Sequence, residues 1–241
     1  MVNKNKFKKR LMKFQGFCLY ALSILFMRYT SWNAHRLARQ IQELKIDRLH
    51  VGCGNVWLAG WLNILYERRQ EYGRVKDING TFVLNYNLLK PWPIAPSSIQ
   101  FIAGSHFIEH LDLNDGIKFV QESFRVLKIG GRIRLSCPDL ELYARNYVNN
   151  NQKFFDQPLI REWCTFKAAQ TPGQIFIAKA YDSGGAHKWF YDFASLKDIL
   201  ARAGFTEIKK VSRVEGRVPD LEKLEPPPRE LETLYVEAVK L

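Results

Sequence analysis

Residues Leu49–Ile64 read LHVGCGNVWLAGWLNI. A short apolar run, Arg48 to Val51, opens into the turn Gly52-Cys53-Gly54-Asn55, and a second apolar run, Leu62 to Leu65, follows. A strand that feeds a G-x-G turn suits a nucleoside- or anion-binding edge. Glycine reaches backbone conformations closed to other residues and lets a ligand approach the main chain. The third glycine of G-x-G-x-x-G is replaced by Trp57. That argues against a dinucleotide site, which needs it for close helix packing beside a pyrophosphate. On its own G-x-G is a weak signal, so the neighbouring sequence has to carry the argument.

Downstream, Phe82 to Tyr86 and Ile99 to Ala103 read as a third and a fourth strand, separated by Pro91, Pro93 and Pro96, which forbid regular structure. Residues Glu67 to Gly80 are polar and read as loop or short helix. Asp112 or Asn114 can cap a helix whose face is Ile117, Val120, Phe124 and Leu127, with Gly130-Gly131 as its stop. Arg132 to Cys137 is a fifth strand, and Asp139 caps a helix through about Tyr147. The stretch 148–188 is irregular in pattern and reads as an insertion on the acceptor side. Phe193 to Ala203 is a helix closed by Gly204, and Glu207 to Val211 and Leu234 to Val239 are the last strands. Upstream, Ala34, Leu37, Ala38, Ile41 and Leu44 share one face of a helix. Early alternation of strand and helix predicts a parallel sheet with helices on both faces, and the late pair of strands predicts an antiparallel edge.

The chain has 241 residues and a net charge of +12, half of which sits on Lys4, Lys6, Lys8, Lys9, Arg10 and Lys13. Such an arm suits an anionic lipid surface, and the mildly basic remainder gives no case for a nucleic-acid partner. Phe14 to Met27 is free of charge but shorter than the roughly 20 residues of a spanning helix. It suits a core helix, an interfacial segment or a signal-peptide core, although no small-x-small cleavage site follows in MRYTSWNAHR. The division expected is 1–29 as a basic, apolar segment and 30–241 as one domain. Cys18, Cys53, Cys137 and Cys164 form no C-x-x-C pair and read as reduced thiols, which favours a reducing, cytoplasmic compartment, with any membrane association expected through residues 1–29.

Four segments, in order, resemble the small class I S-adenosylmethionine-dependent methyltransferases. They are LHVGCGNVWLAGWLNI, PWPIAPSSIQFIAGSHFIEHL (Pro91–Leu111), ESFRVLKIGGRIRLSCPDL (Glu122–Leu140) and HKWFYDFASLKDILARAGF (His187–Phe205). The resemblance implies a Rossmann-like, seven-stranded sheet with S-adenosylmethionine at the carboxyl ends of its first strands. It implies cofactor contacts at Gly52, Cys53, Gly54 and Asn55, and at Ser105 and His106 after the fourth strand. Three positions depart from the family pattern. Leu65 stands where an acid normally holds the ribose hydroxyls, with Glu67 two residues on, Asn87 stands where an acid often lies near the adenine, and Gln100 replaces the aspartate common in the fourth strand. Leucine accepts no hydrogen bond, whereas the Asn87 amide oxygen still can.

Candidates for chemistry cluster after the fourth strand. His106, Glu109 and His110 spell H-x-x-E-H, which on a helix would set both histidines on one face, as in inverted zinc proteases. The family resemblance predicts Glu109-His110 without a metal, and no metal is assigned. His187, after Gly184-Gly185-Ala186, is a candidate acceptor-side base. The function expected is methyl transfer from S-adenosylmethionine to a small-molecule or glycan-like acceptor. A catalytically inactive scaffold of the same fold and a zinc hydrolase are the alternatives.

Overall fold

A computed structural model describes residues 34–67, 71–181 and 186–241. The basic arm and the apolar stretch through Met27 lie outside the described residues. Among those that are described, no helix is long and apolar enough to cross a membrane.

One sheet organises the chain. Its strands are β1 (Arg48–Val51), β2 (Leu62–Leu65), β3 (Val75–Ile78), β4 (Thr81–Asn85), β5 (Ile99–Ser105), β6 (Leu127–Pro138), β7 (Thr206–Val211) and β8 (Thr233–Val239). The spatial order is β3-β4-β2-β1-β5-β6-β8-β7. From β4 to β6 neighbours run parallel, whereas β8 and β7 are antiparallel. The Rossmann-like sheet with an antiparallel C-terminal edge is therefore present, with eight strands instead of the expected seven. The extra one is β3, a hairpin partner of β4 in the stretch read as loop or short helix. Only Val75 of that strand is buried, so no alternating apolar signal marks it.

Three helices cover one face: α1 (34–43), α2 (Leu113–Val126) and α7 (Phe193–Ala203). Leu37 and Ile41 of α1, Phe119 and Val120 of α2, and Leu196 and Leu200 of α7 pack on Leu49, Ile64, Ile102 and Leu135. The caps follow the sequence: Asp112 accepts from the Asp115 amide, Asp192 from the Ser195 amide, and Gly204 closes α7 in the left-handed region. The glycine pair 130–131 does not stop α2. The helix ends at Val126 and β6 begins at Leu127. Gly130, at φ +78°, sits within the strand, and a Cβ on Gly131 would lie 2.8 Å from the Lys128 carbonyl oxygen. The glycines serve an irregularity where β6 changes register against β5.

The opposite face carries Leu58, Trp61, Ala103 and Val218, with Leu221 and Leu224 of the short helix α8 (Leu221–Leu224). The described residues of the segment 148–188 carry more regular structure than the pattern suggests. With α3 (Leu140–Val148) the segment holds α4 (Gln152–Phe155), α5 (Pro158–Trp163) and α6 (Pro172–Ala180). Tyr143, Phe154, Phe155, Ile160 and Ile175 form a satellite core there, with Phe176 packed against it, so these aromatics anchor the insertion. Helix α6 starts with a full capping box, Thr171 and Gln174 exchanging side-chain and backbone bonds around Pro172 at the first turn. Thr171→Ala is expected to cost about 1 kcal/mol, read by urea unfolding and by faster hydrogen exchange confined to 172–180.

Candidate functional site

The carboxyl ends of β1, β2, β4 and β5 lie along one edge of the sheet, as their parallel registers require. The turn after β1 departs from a helix-capped phosphate loop, because residues 52–61 run to β2 without a helix. No helix N-terminus faces a ligand there, which suits an uncharged nucleoside better than a pyrophosphate.

The two glycines of the turn differ in role. Both hold positive φ, +63° at Gly52 and +50° at Gly54. A Cβ on Gly52 would lie 2.4 Å from the Phe107 ring, so this glycine makes room for an aromatic side chain and not for a ligand. Gly54 has nothing within 4 Å of its missing Cβ and is exposed beside Asn55, so ligand access to the main chain belongs to Gly54. The Cys53 side chain turns inward. It is buried with Leu65 and Val83, and burial pushes its thiol up to about 12.

At the end of β2, Leu65 completes that apolar cluster. Glu67 is exposed and lines a hollow of about 280 Å³ with Tyr66, Tyr72 and Lys90. Its backbone is clamped by Asn85, whose side chain accepts from the Glu67 amide at 3.0 Å and donates to its carbonyl at 2.8 Å. Asn87 turns inward on its own loop, its amide oxygen accepting from the Leu89 amide at 3.0 Å. That bond accounts for one of the oxygen's two lone pairs and makes Asn87 a turn former.

Ser105 does not open on the edge. It donates to Glu225 Oε2 at 2.9 Å, as does Ser136, and Glu225 pairs with buried Arg134 at 3.6 Å. His106 follows in the left-handed region at φ +47°, a conformation held by its surroundings. Its Nε2 lies 3.0 Å from Thr233 Oγ1 and its Nδ1 3.2 Å from Glu109 Oε1. The segment is no helix: only Ile108–His110 form a single 3-10 turn. His106 and His110 therefore do not share a helical face, and the inverted zinc-protease arrangement is absent.

A different grouping forms instead. Glu109 is buried at 1% exposure. Its carbonyl accepts from the Lys188 and Trp189 amides, which docks the 186–189 loop against the turn. His187 is thereby buried edge-on to His110, the ring centroids 4.9 Å apart. Burial lowers the pKa of His187 in spite of nearby Glu109. Burial would raise Glu109, but His106 and His110 outweigh it and hold the carboxyl below its usual range. The candidate chemical residues His106, Glu109, His110 and His187 thus converge after β5, while Gly54 and Glu67 lie at the neighbouring strand ends.

Residues outside the expected set organise this edge. Asn63, fully buried, accepts from the Leu58 amide and donates to the carbonyls of Leu58, Trp61 and Phe82, which staples the 52–61 crossover to β2. It is the asparagine of GWLN, so a polar residue inside an apolar strand was its signal. Glu225 carries no local signal, since its partners lie 89 residues or more away in sequence.

The chain matches no family model and no curated protein sequence. Among solved structures, it is similar to a SAM-dependent methyltransferase from Thermotoga maritima, at 21% identity and a TM-score of 0.48, over 89% of this chain and 95% of that one. A SAM-dependent methyltransferase from Archaeoglobus fulgidus follows at 17% identity and 0.47, over 86% and 92%. One from Mesorhizobium loti gives 14% and 0.43, over 80% and 90%.

Proposed function

We propose that this chain is an S-adenosylmethionine-dependent methyltransferase acting on a small-molecule or glycan-like acceptor. The observation that carries the reading is the order β4-β2-β1-β5-β6-β8-β7 with a positive-φ glycine turn at the carboxyl end of β1 and an exposed carboxylate beyond β2. The residues fit the cofactor. The Gly54 main chain is open to approach, and Glu67 can accept from ribose hydroxyls in place of the acid that Leu65 does not supply. The bound cofactor supplies a methyl group activated on a sulfonium. The protein's own contribution is alignment of donor and acceptor, a large effect in an in-line displacement. His106, Glu109, His110 and His187 form the polar flank on which an acceptor hydroxyl or amine would rest. Residues 1–29 would bring this cytoplasmic domain to an anionic membrane surface.

Calorimetric titration of the full chain with S-adenosylmethionine and S-adenosylhomocysteine tests the reading, and binding in the micromolar range is expected. Glu67→Ala, at an exposed position, should weaken binding by about tenfold or more, the worth of a hydrogen bond to a charged group, with unfolding unchanged. Gly54→Asn tolerates the left-handed backbone and projects a side chain into the approach. It should weaken binding similarly.

The apolar burial of Leu65 with Cys53 and Val83 favours a second reading, a scaffold of this fold without methyl transfer. Absence of cofactor binding by a folded chain would select it.

A further inference from the structure

The geometry points to a divalent transition-metal site formed by Glu109, His110 and His187, and we propose that the protein binds one such ion there. One ligand atom from each of the three lies within 4.8 Å of the others. Ligand atoms on a common ion stand roughly 3–3.5 Å apart, as bond lengths near 2 Å require, so small side-chain rotations close the set.

Two further observations make this a prepared site. His187 Nδ1 stands 3.1 Å from the Lys179 carbonyl oxygen, and His110 Nδ1 stands 3.3 Å from the Ala186 carbonyl oxygen. A carbonyl oxygen can only accept, so each Nδ1 carries the proton and each Nε2 keeps its lone pair. Donation of the remote ring N–H to a backbone carbonyl is the support that metal-bound imidazoles ordinarily have. Second, the carboxylate is short of partners. Glu109 is 1% exposed, Oε1 has His106 Nδ1 3.2 Å away but out of hydrogen-bond alignment, and Oε2 has no hydrogen-bond donor among the described residues. A buried carboxylate left this way is costly, and a cation beside it removes the cost.

Two imidazoles and one carboxylate suit first-row divalent ions such as zinc, manganese and cobalt. Three protein ligands leave positions open for water or for an oxygen of a bound molecule, which the ion would polarise. The site lies on the turn after β5, among the residues of the polar flank. It does not depend on methyl transfer, and its test reads metal directly.

Untagged full-length protein, stripped with a chelator, is titrated with Zn²⁺ against a chromophoric competitor and with Co²⁺ by visible absorption. One equivalent per chain is expected, with the cobalt band of a nitrogen and oxygen ligand set. Glu109→Gln and His187→Asn should each weaken binding by about tenfold or more, while His35→Asn, at an exposed position of α1, binds as the unaltered chain does. His110→Asn, partly exposed, is the third ligand variant and answers for either of the others should it fail to fold. Folded wild-type protein without stoichiometric binding overturns the proposal, as does affinity that is unchanged in the folded ligand variants.

Discussion

Arg134→Met lowers the stability of the domain by about 3–5 kcal/mol, the cost of removing one partner from a buried ion pair. Arg134 is 1% exposed in the middle of β6, and its guanidinium donates to the carbonyls of Ser212, Arg213 and Glu215. It also faces buried Glu225 at 3.6 Å. Methionine fills a comparable volume, so the change removes charge and donors with little cavity. Three carbonyls then lose their donor and Glu225 loses its only ion-pair partner among the described residues. The carboxyl is already raised by burial, with Arg134 and the two serine hydroxyls pulling the other way. Removing Arg134 raises it further. Because part of the penalty belongs to the stranded carboxylate, Arg134→Met with Glu225→Gln should recover stability relative to the single change. Urea unfolding of the three proteins measures this. A loss below about 1 kcal/mol in the single variant would make the pair a surface-like one, contrary to its burial.

Acidification from pH 6.5 to pH 4 costs the domain about 3 kcal/mol through His50 alone. The ring is 2% exposed beneath Trp61, and burial lowers its pKa from 6.5 to about 4, with the Asn63 side chain 3.3 Å away pulling weakly upward. Between those two values the unfolded chain takes up a proton that the folded chain refuses. Stability therefore rises with pH across this window. The contribution is whole above pH 6.5 and lost as pH falls to 4. His187 titrates in the same sense, so the test is a difference: His50→Gln should flatten the pH dependence of unfolding free energy relative to wild type. An identical slope in the two proteins would place the acid sensitivity elsewhere.

The parts of this fold visible in the sequence are those with local causes. The strands at Arg48–Val51 and Leu62–Leu65 are short runs, largely apolar and buried, beside a glycine turn, and helices with Asp112 and Asp139 before them announce their starts. Strand β3 escaped because VKDI is exposed on three of four positions and is held by pairing with β4 instead of burial. Gly130-Gly131 misleads because glycine serves a bulge as readily as a helix end. In the site, Gly52 and Gly54 look equivalent on paper, and only the packing of Phe107 separates them. Ser105 and Cys53 sit at the expected edge, but orientation within a strand or turn decides whether a side chain meets ligand or core. The convergence of His187 with Glu109 and His110 spans most of eighty residues and is a property of the docked loop alone.

Both margins of the sheet have a bearing on how the molecule behaves in a crowded solution. The outer strand on one side is only four residues long and carries Lys76 and Asp77. The outer strand on the other reads TEIKKV, with Glu207 at φ +45° breaking its pairing rhythm against β8. Charge, brevity and an irregular backbone are what keep an open sheet from recruiting a strand of another chain. An eight-stranded sheet that never closes on itself is thus finished at each end, and among the described residues neither margin offers a long flat edge for pairing with a strand of another copy.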